Sequence, residues 1–439
     1  MMRQYWELKS RYEGCMLFFR LGDFYEMFFD DAERASRLLG LTLTSRDSGG
    51  PDRAPMCGVP FHSAQQYIGK LLKLGEKVAL CEQMEDPRKA RGLVKREVVR
   101  VLTPGTVVEA GLLEERRNNW SAAVATDGEG AALAALDLST GEFLATEFEG
   151  AGAAGELRDE LERLRPVESL DAGGTDAPAD ADAAREALLR HFRTASLEAF
   201  GCERRPRVQR AAAQALGYAK RMQRGGLEHV DHLATYEPGA HVRLDPFTLD
   251  ALEVVDAREP GDAGSTLLAV LDHSTSAMGA RALRSWLLRP LAQAGPVLDR
   301  LDAVEWLVGR PTDRAALRAV LSRCADLERV GARLGGRSAN ARDLVAIRST
   351  LERAGELRGL LTEAPGVLRT IREALADLPE LRNMLAAALA DDPPPAITEG
   401  GMIRAGHHPE VDELRRLAGS GKAVLLEMQE TERRATGID

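Results

Sequence analysis

An aromatic ring and a carboxylate two residues apart, Phe24 and Glu26, are the side chains of this sequence best placed to act on a ligand. They follow the turn signal Gly22-Asp23, in a segment aromatic enough to be an extended strand. Because side chains alternate along a strand, the segment has two faces: Phe24, Glu26 and Phe28 on one, and Tyr25, Met27 and Phe29, a plausible core face, on the other. The first face would carry a ring and a carboxylate outward together. The alternative is an edge strand whose glutamate faces water.

The stretch Gly419-Ser420-Gly421-Lys422 looks like part of a phosphate-binding loop. Such a loop needs a glycine, four further residues, and then Gly-Lys followed by Ser or Thr. Arg416 stands at the first of these positions and Ala423 at the last, and no strand is predicted before them. We therefore expect no nucleotide site in this segment.

Two pairs of histidines are candidates for metal ligands: His229 with His232, and His407 with His408. Neither pair has Cys or carboxylate partners at the spacing of a metal site. We predict that these histidines lie on the surface, and we assign no metal ligand in the chain.

The composition is that of a multidomain protein with packed cores. The length of 439 residues suffices for about three domains, and 44% of the residues are hydrophobic but only 5% aromatic, which suits a largely helical chain. No apolar run is long enough for a membrane span, and the first residues do not form a secretory signal. The five scattered cysteines include no Cys-x-x-Cys pair, which indicates free thiols in a reducing cytosol.

Charge is distributed unevenly along the chain. The net charge of −10 argues against tight, indiscriminate DNA binding. Residues 1–104, however, carry 17 Lys and Arg against 14 Asp and Glu, a net charge of +3. A local basic cluster, which on charge alone indicates a solvated loop, contains Arg88, Lys89, Arg91, Lys95, Arg96 and Arg100.

The elements that must position Phe24 form an α/β layer. A buried strand from Cys15 to Phe19 leads into the strand that holds Phe24. The pattern then predicts a helix capped by Asp30 and closed by Gly40, a half-buried strand Leu41–Thr44, a loop over 46–60, a helix Ser63–Leu74 and a strand Lys77–Cys81.

A second unit begins near Trp120. Strands are predicted at Ser121–Thr126, Ala131–Asp137 and Phe143–Phe148, the first two joined by a hairpin at Asp127–Gly130. The Asp and Glu residues of 155–182 indicate a solvated loop, with a mobile low-complexity piece at Asp171–Asp182.

From about Tyr236 the pattern is helical. The stronger helices are predicted at 265–271, 277–288, 315–334, 340–361 and 380–390, followed by a break at Pro393-Pro394-Pro395. A last helix from Pro409 to about Arg434 would form a lever roughly 40 Å long.

Several segments together resemble the MutS family of DNA mismatch repair proteins. In the first third they are Met2–Tyr5 with Leu8-Lys9, Leu17–Glu26, Asp30–Ala32, Pro55–His62, Val78–Gln83 and Val98–Thr106. The resemblance continues through Leu271–His273, Ala277–Arg281 and Trp286-Leu287 to Arg434–Asp439, with the middle third the loosest.

The resemblance implies a multidomain fold, α/β followed by all-α. The expected parts are a mixed α/β mismatch-recognition domain at 1–110, a ribonuclease-H-like connector domain at 118–235, and a helical core or lever domain at 236–439. The family's clamp and ATPase domains would lie beyond Asp439, so the chain looks like the front portion of a larger protein. No cofactor and no catalytic residue are expected within it.

By resemblance, Phe24 and Glu26 match the Phe and Glu of the family's Phe-x-Glu motif. Phe24 would wedge at a mispair or loop in duplex DNA, and Glu26 would contact the base. For the intact protein the resemblance implies a dimeric sliding clamp that uses ATP and magnesium and recruits a MutL-like partner. Its location would be the cytoplasm, at the nucleoid and away from membranes.

Mismatch recognition has a physical basis in the deformability of DNA. A mispaired step is easier to kink and unstack than a matched step, and this difference becomes binding free energy. An apolar ring inserted from the minor groove can stack on a base and bend the duplex. The carboxylate on the same face can accept a hydrogen bond from an exposed base N–H, or donate one if it is protonated.

Two other functions stay open from the residues alone. Asp137 and Glu142 could hold a metal ion in a ribonuclease-H-like fold, which would make a metal-dependent nuclease. Two acidic side chains near a strand are a weak signal for that chemistry, and a fold does not grant a function. An interaction scaffold is the third possibility, favoured if the chain binds no DNA at any salt concentration.

Overall fold

The structure, a computed structural model, describes residues 1–47, 53–85, 93–170, 173–223, 226–259, 262–419 and 421–437. The chain divides into two compact units, residues 1–301 with 326–338, and residues 302–325 with 339–439. In the described part of the chain, no helix combines the length and apolar character that crossing a membrane requires.

A mixed sheet of six strands forms the first part of the first unit. Its elements are α1 (Met2–Arg11), β1 (Cys15–Leu21), β2 (Phe24–Phe28), α2 (Phe29–Leu39), β3 (Thr44–Asp47), β4 (Arg53–Pro60), α3 (Ala64–Lys73), β5 (Lys77–Gln83) and β6 (Arg96–Leu102). The strand order is β3-β4-β2-β1-β5-β6, in which β1 and β5 run parallel and the other neighbours antiparallel. The predicted strands β1 and β5 and the helix α3 are confirmed.

Apolar side chains pack against both faces of this sheet, and β2 contributes to both cores. Tyr25 and Met27 lie in the core shared with α2 and α3, as the alternation predicts. Phe28 lies on the opposite face, in the core shared with Tyr5 of α1. A strand held from both sides cannot shift its register, because a slip of one residue would exchange its two faces.

A buried carboxylate ties the first two helices to β1. Asp31 of α2 accepts hydrogen bonds from the backbone N of Leu17 (3.0 Å), the hydroxyl of Tyr5 (3.1 Å) and Nζ of Lys9 (2.7 Å). Two of these contacts come from α1 and one from β1, so α1 is held against the sheet by two polar contacts as well as by apolar packing.

Two predictions next to β2 are wrong. Phe29 does not continue the strand beside Tyr25 and Met27. It begins α2 with a positive φ of 53°, and its ring packs with the opposite core. Asp30 is not the N-cap, which is Phe28; Asp30 lies in the first turn. The chain passes from strand to helix within one residue, so the period-two pattern ends earlier than the aromatic run does.

The loop predicted over 46–60 is also wrong. Residues Arg53–Pro60 form β4, which lies between β3 and β2 in the sheet. In the ladder between β2 and β4, the residues of β4 that pair with β2 run from Met56 to Pro60. Pro55 lies outside this ladder and Pro60 lies at its end, where the missing N–H of a proline is tolerated. The strand predicted at Leu41–Thr44 starts only at Thr44, and residues 48–52 lie outside the described ranges.

A second sheet of five strands follows. Its elements are β7 (Ser121–Thr126), β8 (Gly130–Asp137), β9 (Glu142–Glu149), α4 (Ala153–Leu164), β10 (Glu168–Ser169), α5 (Ala181–Phe192), α6 (Pro206–Gln223) and β11 (Ala234–Thr235). The strand order is β10-β7-β8-β9-β11, with β10 and β11 parallel to their neighbours. The three predicted strands are confirmed, and so is the hairpin, in which the backbone N of Asp127 donates to the carbonyl of Gly130 over 3.1 Å.

The solvated loop predicted over 155–182 is only partly correct. Helix α4 occupies its first residues, and Glu160 of that helix is buried against Arg163. Helix α5 begins at Ala181 because Asp180 caps it, accepting from the backbone N of Ala183 at 2.8 Å. Residues 171 and 172 of the predicted mobile piece lie outside the described part of the chain.

Helix α6 packs on the second sheet and also reaches the first. Its alanines lie in the core of the second sheet, whereas Tyr218 and Met222 lie in the core that holds Phe28. The buried carboxylate of Glu168 adds polar links, since it accepts from Nζ of Lys77 at 3.0 Å and from the backbone N of Gly105 at 3.0 Å. These contacts attach the first sheet to the second.

The rest of the chain is helical. Its helices are α7 (Pro246–Ala251), α8 (Leu267–Leu271), α9 (Ala277–Leu288), α10 (Ala294–Val308), α11 (Pro311–Leu321), α12 (Leu327–Gly335), α13 (Ala341–Leu360), α14 (Gly366–Ala374), α15 (Pro379–Ala388), α16 (Pro409–Gly419) and α17 (Gly421–Thr436). The order of mixed α/β parts followed by a helical region confirms the coarse fold class.

Individual helices differ from the prediction in two places. The single helix predicted over 315–334 is wrong, because Asp326 caps a new helix, α12, by accepting from the backbone N of Arg329 at 3.3 Å. The predicted lever consists of α16 and α17, on either side of Ser420, which lies outside the described residues. Helices α9 and α13 are confirmed, and Asn340 caps the latter through its side chain.

Candidate nucleic-acid interface

Phe24 stands at the first position of β2, with its ring outside the cores. The side chain is 46% exposed, whereas Phe28, on the same face of the same strand, is fully buried. Gly22 supplies the left-handed backbone (φ 59°) of the turn before it, and the backbone N of Phe61 donates to the carbonyl of Asp23 at 2.9 Å. An exposed aromatic ring is thus held on a strand whose other residues are fixed by packing.

Glu26 lies two residues farther along the same face and is ion-paired. Its Oε2 accepts from Nη1 of Arg46 at 2.7 Å, and the side chain is 15% exposed. Glu26 faces Gly58 across the ladder between β2 and β4, and a Cβ added to Gly58 would lie 3.4 Å from Cγ of Glu26 and 3.2 Å from the carbonyl of Tyr25. The glycine therefore leaves room for the glutamate side chain to lie over β4 towards Arg46 on β3.

Arg46 is a site residue that the sequence interpretation missed. The sequence predicts a loop over 46–60, and a loop gives no relation between Arg46 and Glu26. The register of β3 on β4 places Arg46 opposite Ala54, on the same face as Gly58 and therefore as Glu26. The relation between Arg46 and Glu26 can be predicted only if Arg53–Pro60 is recognised as a strand.

A second arginine, Arg96 of β6, contributes positive charge near Glu26. Arg96 is 6% exposed, donates from Nε to the carbonyl of Arg20 at 2.7 Å, and lies over the ring of Phe19 at 5.1 Å. Burial lowers the pKa of Arg96, the charge of Arg46 acts in the same direction, and the charge of Glu26 raises it. Glu26 thus has two guanidinium groups in its electrostatic neighbourhood.

Next to Phe24, an exposed ring stacks on an arginine. The guanidinium carbon of Arg20 lies 3.8 Å from the centre of the Phe61 ring and 5.5 Å from that of Tyr25. Phe61 is 45% exposed. Phe24 pairs across the ladder between β2 and β4 with Pro60, the residue immediately before Phe61. Two exposed rings and one guanidinium group therefore lie near the start of β2, and such a surface can stack on bases and attract phosphates.

The basic cluster predicted over 88–100 is only partly a solvated loop. Arg88, Lys89 and Arg91 lie outside the described residues. Lys95 is exposed and pairs with Glu97 at 2.7 Å, as a solvated side chain would. Arg96, however, is buried, and Arg100 is paired with Glu109, so these two cations serve the fold.

Asp137 and Glu142, the candidates for nuclease chemistry, are occupied by hydrogen bonds within the protein. Asp137 is fully buried and accepts from the backbone N of Asn119 (3.0 Å) and from both N and Oγ of Ser139 (2.9 and 2.7 Å). The amide of Asn118 bridges the two carboxylates at 3.0 and 2.9 Å. Among the described residues, no three His, Cys, Asp or Glu side chains are grouped closely enough to hold a metal ion.

The prediction of surface histidines holds for His232, His407 and His408, which are exposed. It is wrong for His229, which is largely buried and forms a hydrogen bond from Nε2 to the carbonyl of Leu138 at 2.9 Å. Since a carbonyl can only accept, Nε2 carries the proton, and the buried Nδ1 has no hydrogen-bond partner. Burial lowers the pKa of His229. The residue is a packed structural histidine.

The five cysteines are free thiols, as predicted. Burial raises the pKa of Cys57 to about 11, so its thiol stays protonated at neutral pH. At the candidate phosphate loop, helix α16 ends at Gly419 and α17 begins at Gly421, so a helix rather than a strand precedes Lys422. This arrangement differs from the strand-loop-helix order of a phosphate-binding loop.

Three family models match consecutive parts of the chain: MutS domain I over residues 1–111, MutS domain II over 119–233 and MutS domain III over 247–435. The DNA mismatch repair protein MutS of Symbiobacterium thermophilum is 45% identical, with 100% of this chain and 53% of the relative covered. The proteins of the same name from Myxococcus xanthus and Pelotomaculum thermopropionicum are 42% and 40% identical over 100% of this chain, covering 51% and 53% of their own lengths. The chain spans about half the length of these relatives.

Proposed function

The chain belongs to the MutS family, of which it carries domains I, II and III, and from this premise we propose that it recognises mispaired or looped positions in duplex DNA. The observation that carries the proposal is the exposed ring of Phe24, two residues from Glu26 on one face of a strand packed from both sides. A wedge has to resist the duplex that it deforms, so a rigid strand suits this task better than a loop does.

Phe24 is the proposed wedge. Its ring enters from the minor groove, stacks on one base of the mispair and kinks the duplex at that step. Stacking of a base on an aromatic side chain contributes about 1–3 kcal/mol and tolerates any base, as a general mismatch sensor requires. Discrimination then comes from the lower free energy needed to unstack a mispaired step.

Glu26 is the proposed base contact, and its ion pair with Arg46 affects how strongly it can bind a base. Oε2 already accepts from Arg46, so a base N–H competes with that arginine or uses the second oxygen. On a matched duplex the base stays paired, and the carboxylate faces the polyanion without a new hydrogen bond. Glu26 therefore lowers the affinity for matched DNA more than the affinity for mispaired DNA.

The domain roles follow the same premise. Residues 1–110 form the mismatch-recognition domain, residues 118–235 a ribonuclease-H-like connector and residues 236–439 the helical core or lever domain. For the longer proteins of this family we propose a homodimeric sliding clamp that uses ATP and magnesium, recruits a MutL-like partner and acts on DNA in the cytoplasm. For this chain itself we propose the binding of mispaired DNA.

The test is a comparison of two duplexes that differ by one mispair, with affinities measured by fluorescence anisotropy over a series of salt concentrations. We expect tighter binding to the mispaired duplex at every salt concentration at which binding is measurable. Equal affinity for both duplexes would contradict mismatch recognition. Failure to bind either one at low salt would favour an interaction scaffold, and magnesium-dependent cleavage of the duplex would favour a nuclease.

A further inference from the structure

A cavity of about 420 Å³ opens in the first unit, away from Phe24. Its walls come from the end of α3, the segment between β6 and β7, the end of α4 and the end of α9. Apolar parts of the lining include Leu72, Trp120, Leu164 and Leu288. Cavities of this volume are typical of sites for small organic ligands.

The charged side chains that line this cavity are almost all cationic. They are Lys73, Arg117, Arg163, Arg165, Arg284 and Arg289, and the one carboxylate among the lining residues is that of Glu114. Six cations around a space of this size repel one another, and the repulsion is stronger where the side chains are removed from water. Such an arrangement needs anions, either from the protein or from a ligand.

The protein supplies too few carboxylates. Behind the lining, Glu160 pairs closely with Arg163 and lies 3.5 Å from Nη2 of Arg289. Asp256 pairs closely with Arg165 and lies 3.5 Å from Nη2 of Arg284, and Arg165 also pairs with Asp250 at 2.7 Å. Each of these two carboxylates therefore serves two guanidinium groups and is close to only one of them.

Arg284 and Arg289 are consequently the groups with donors to spare. Both side chains are only 12% exposed. Nη2 of Arg289 is buried without a hydrogen-bond partner, and Nη1 of Arg284 is no closer than 3.5 Å to its carbonyl acceptor, that of Val255. A guanidinium carries five N–H donors, and leaving them unused in a buried position costs free energy. Burial, and then the charge of Arg117, lowers the pKa of Arg284.

Contacts within the protein account for the positions of Arg163 and Arg165 but not for those of Arg284 and Arg289. Arg163 donates to the carbonyl of Leu288, the last residue of α9, at 3.2 Å, and Arg165 pairs with Asp250 and Asp256. Those two arginines have structural partners. Arg284 and Arg289 line the cavity with polar contacts of 3.5 Å, and the ring of Tyr236 covers one face of the Arg289 guanidinium at 4.6 Å.

We propose that this cavity binds a small phosphorylated molecule through a diphosphate group held by Arg284 and Arg289. A guanidinium fork matches two phosphate oxygens, and two forks suit the two phosphorus centres of a diphosphate. Arg117 and Lys73 add positive charge to the lining, and Trp120 with the leucines accommodates an organic substituent. The site is separate from the proposed DNA contact at Phe24 and Glu26.

The probe for the test is inorganic pyrophosphate, titrated into the 439-residue chain by isothermal calorimetry, with uridine diphosphate as a second arm. We expect saturable binding of one pyrophosphate per chain and a rise of Tm with its concentration. Tighter binding of uridine diphosphate would place the substituent against the apolar wall, and equal binding would mean that the diphosphate alone is recognised. No saturable heat from either probe would overturn the proposal.

Variants locate the site. Arg284→Gln and Arg289→Gln each remove one charge-assisted contact and should weaken binding about ten- to a hundredfold. Ser285→Asp adds a carboxylate to the lining. This carboxylate should pair with the guanidinium groups and abolish pyrophosphate binding while Tm is preserved, so a folding defect cannot explain the loss of binding.

Arg158→Gln, on the exposed face of α4, is the matched control and should bind pyrophosphate as the unmodified chain does. Unchanged affinity in Ser285→Asp and Arg289→Gln would mean that pyrophosphate binds elsewhere, and the proposal would be wrong.

Discussion

Arg46 donates a hydrogen bond to Glu26 over 2.7 Å, although the two residues lie on strands separated in the sheet by β4. The pair gives the proposed base-contacting carboxylate a partner before DNA arrives. Any hydrogen bond from a base is gained in competition with this arginine. The selectivity assigned to Glu26 is therefore a property of the pair.

Phe24→Ala should remove the preference for mispaired DNA and leave the fold intact. The ring is about half exposed, so its loss should lower heteroduplex affinity by about 1–3 kcal/mol, the contribution of one stacked base, and hardly change Tm. Phe28→Ala is the matched control on the same face, since that ring is fully buried and its removal should cost about 3–5 kcal/mol of stability. A large fall in Tm for Phe24→Ala with discrimination retained would make Phe24 a core residue instead.

Glu26→Gln should tighten binding to matched DNA by about fivefold, since one charge pair at close range in water is worth roughly 1 kcal/mol. Heteroduplex affinity should stay similar or fall, because the hydrogen bond from the base becomes neutral. The ratio of heteroduplex to matched-duplex affinity would then decrease, mainly because binding to the matched duplex becomes tighter. Anisotropy measurements on both duplexes provide the comparison, and equal weakening of both would show that repulsion is not the mechanism.

Arg46→Gln should increase the effect of the Glu26 charge. Without its partner the carboxylate is uncompensated, so Glu26→Gln should tighten matched-DNA binding more in an Arg46→Gln background than in the unmodified chain. Because the pair is partly exposed, we expect a coupling free energy of about 0.5–1 kcal/mol in a double-mutant cycle. Additive effects of the two substitutions would mean that the ion pair does not influence recognition.

The chain should not hydrolyse ATP, and Lys422 should not bind it. The residues around Lys422 lack the first glycine and the final Ser or Thr of a phosphate loop, and a helix precedes them. A phosphate-release assay with magnesium tests hydrolysis, and calorimetry compares ATP binding in the unmodified chain and in Lys422→Ala. Binding that Lys422→Ala abolishes would contradict this prediction.

Stability should fall as the pH decreases through the ordinary histidine range. Burial lowers the pKa of His229 and of His191 in the folded chain, so the unfolded chain takes up protons first. Their contribution to stability is complete above the unfolded pKa of about 6.5 and decreases below it. Thermal melts between about pH 7.5 and pH 5 should show a shallower decrease for His229→Gln than for the unmodified chain, with the exposed His232→Gln as control. Parallel curves would assign the acid sensitivity to other groups.

The sequence by itself determined the elements whose pattern is local. Helix α9, helix α13 and the strands β7 to β9 were predicted because their periodicity, capping residues and turn signals lie within the elements themselves. Strand alternation likewise predicted that Phe24 and Glu26 share one face of β2 and that Phe24 is exposed, but it did not predict that Glu26 is only 15% exposed and paired with Arg46. The family followed from motifs spread along the chain.

Tertiary structure decided the parts that depend on residues distant in sequence. Strand β4 reads as a loop because it is rich in proline and glycine, and it becomes a strand only because β2 and β3 flank it. The pairing of Arg46 with Glu26 depends on that strand and could not be predicted without it. Likewise, His229 is half-buried and Arg284 lines a cavity only because separate segments pack around them, since burial and electrostatic neighbours are set by the folded chain and not by local composition.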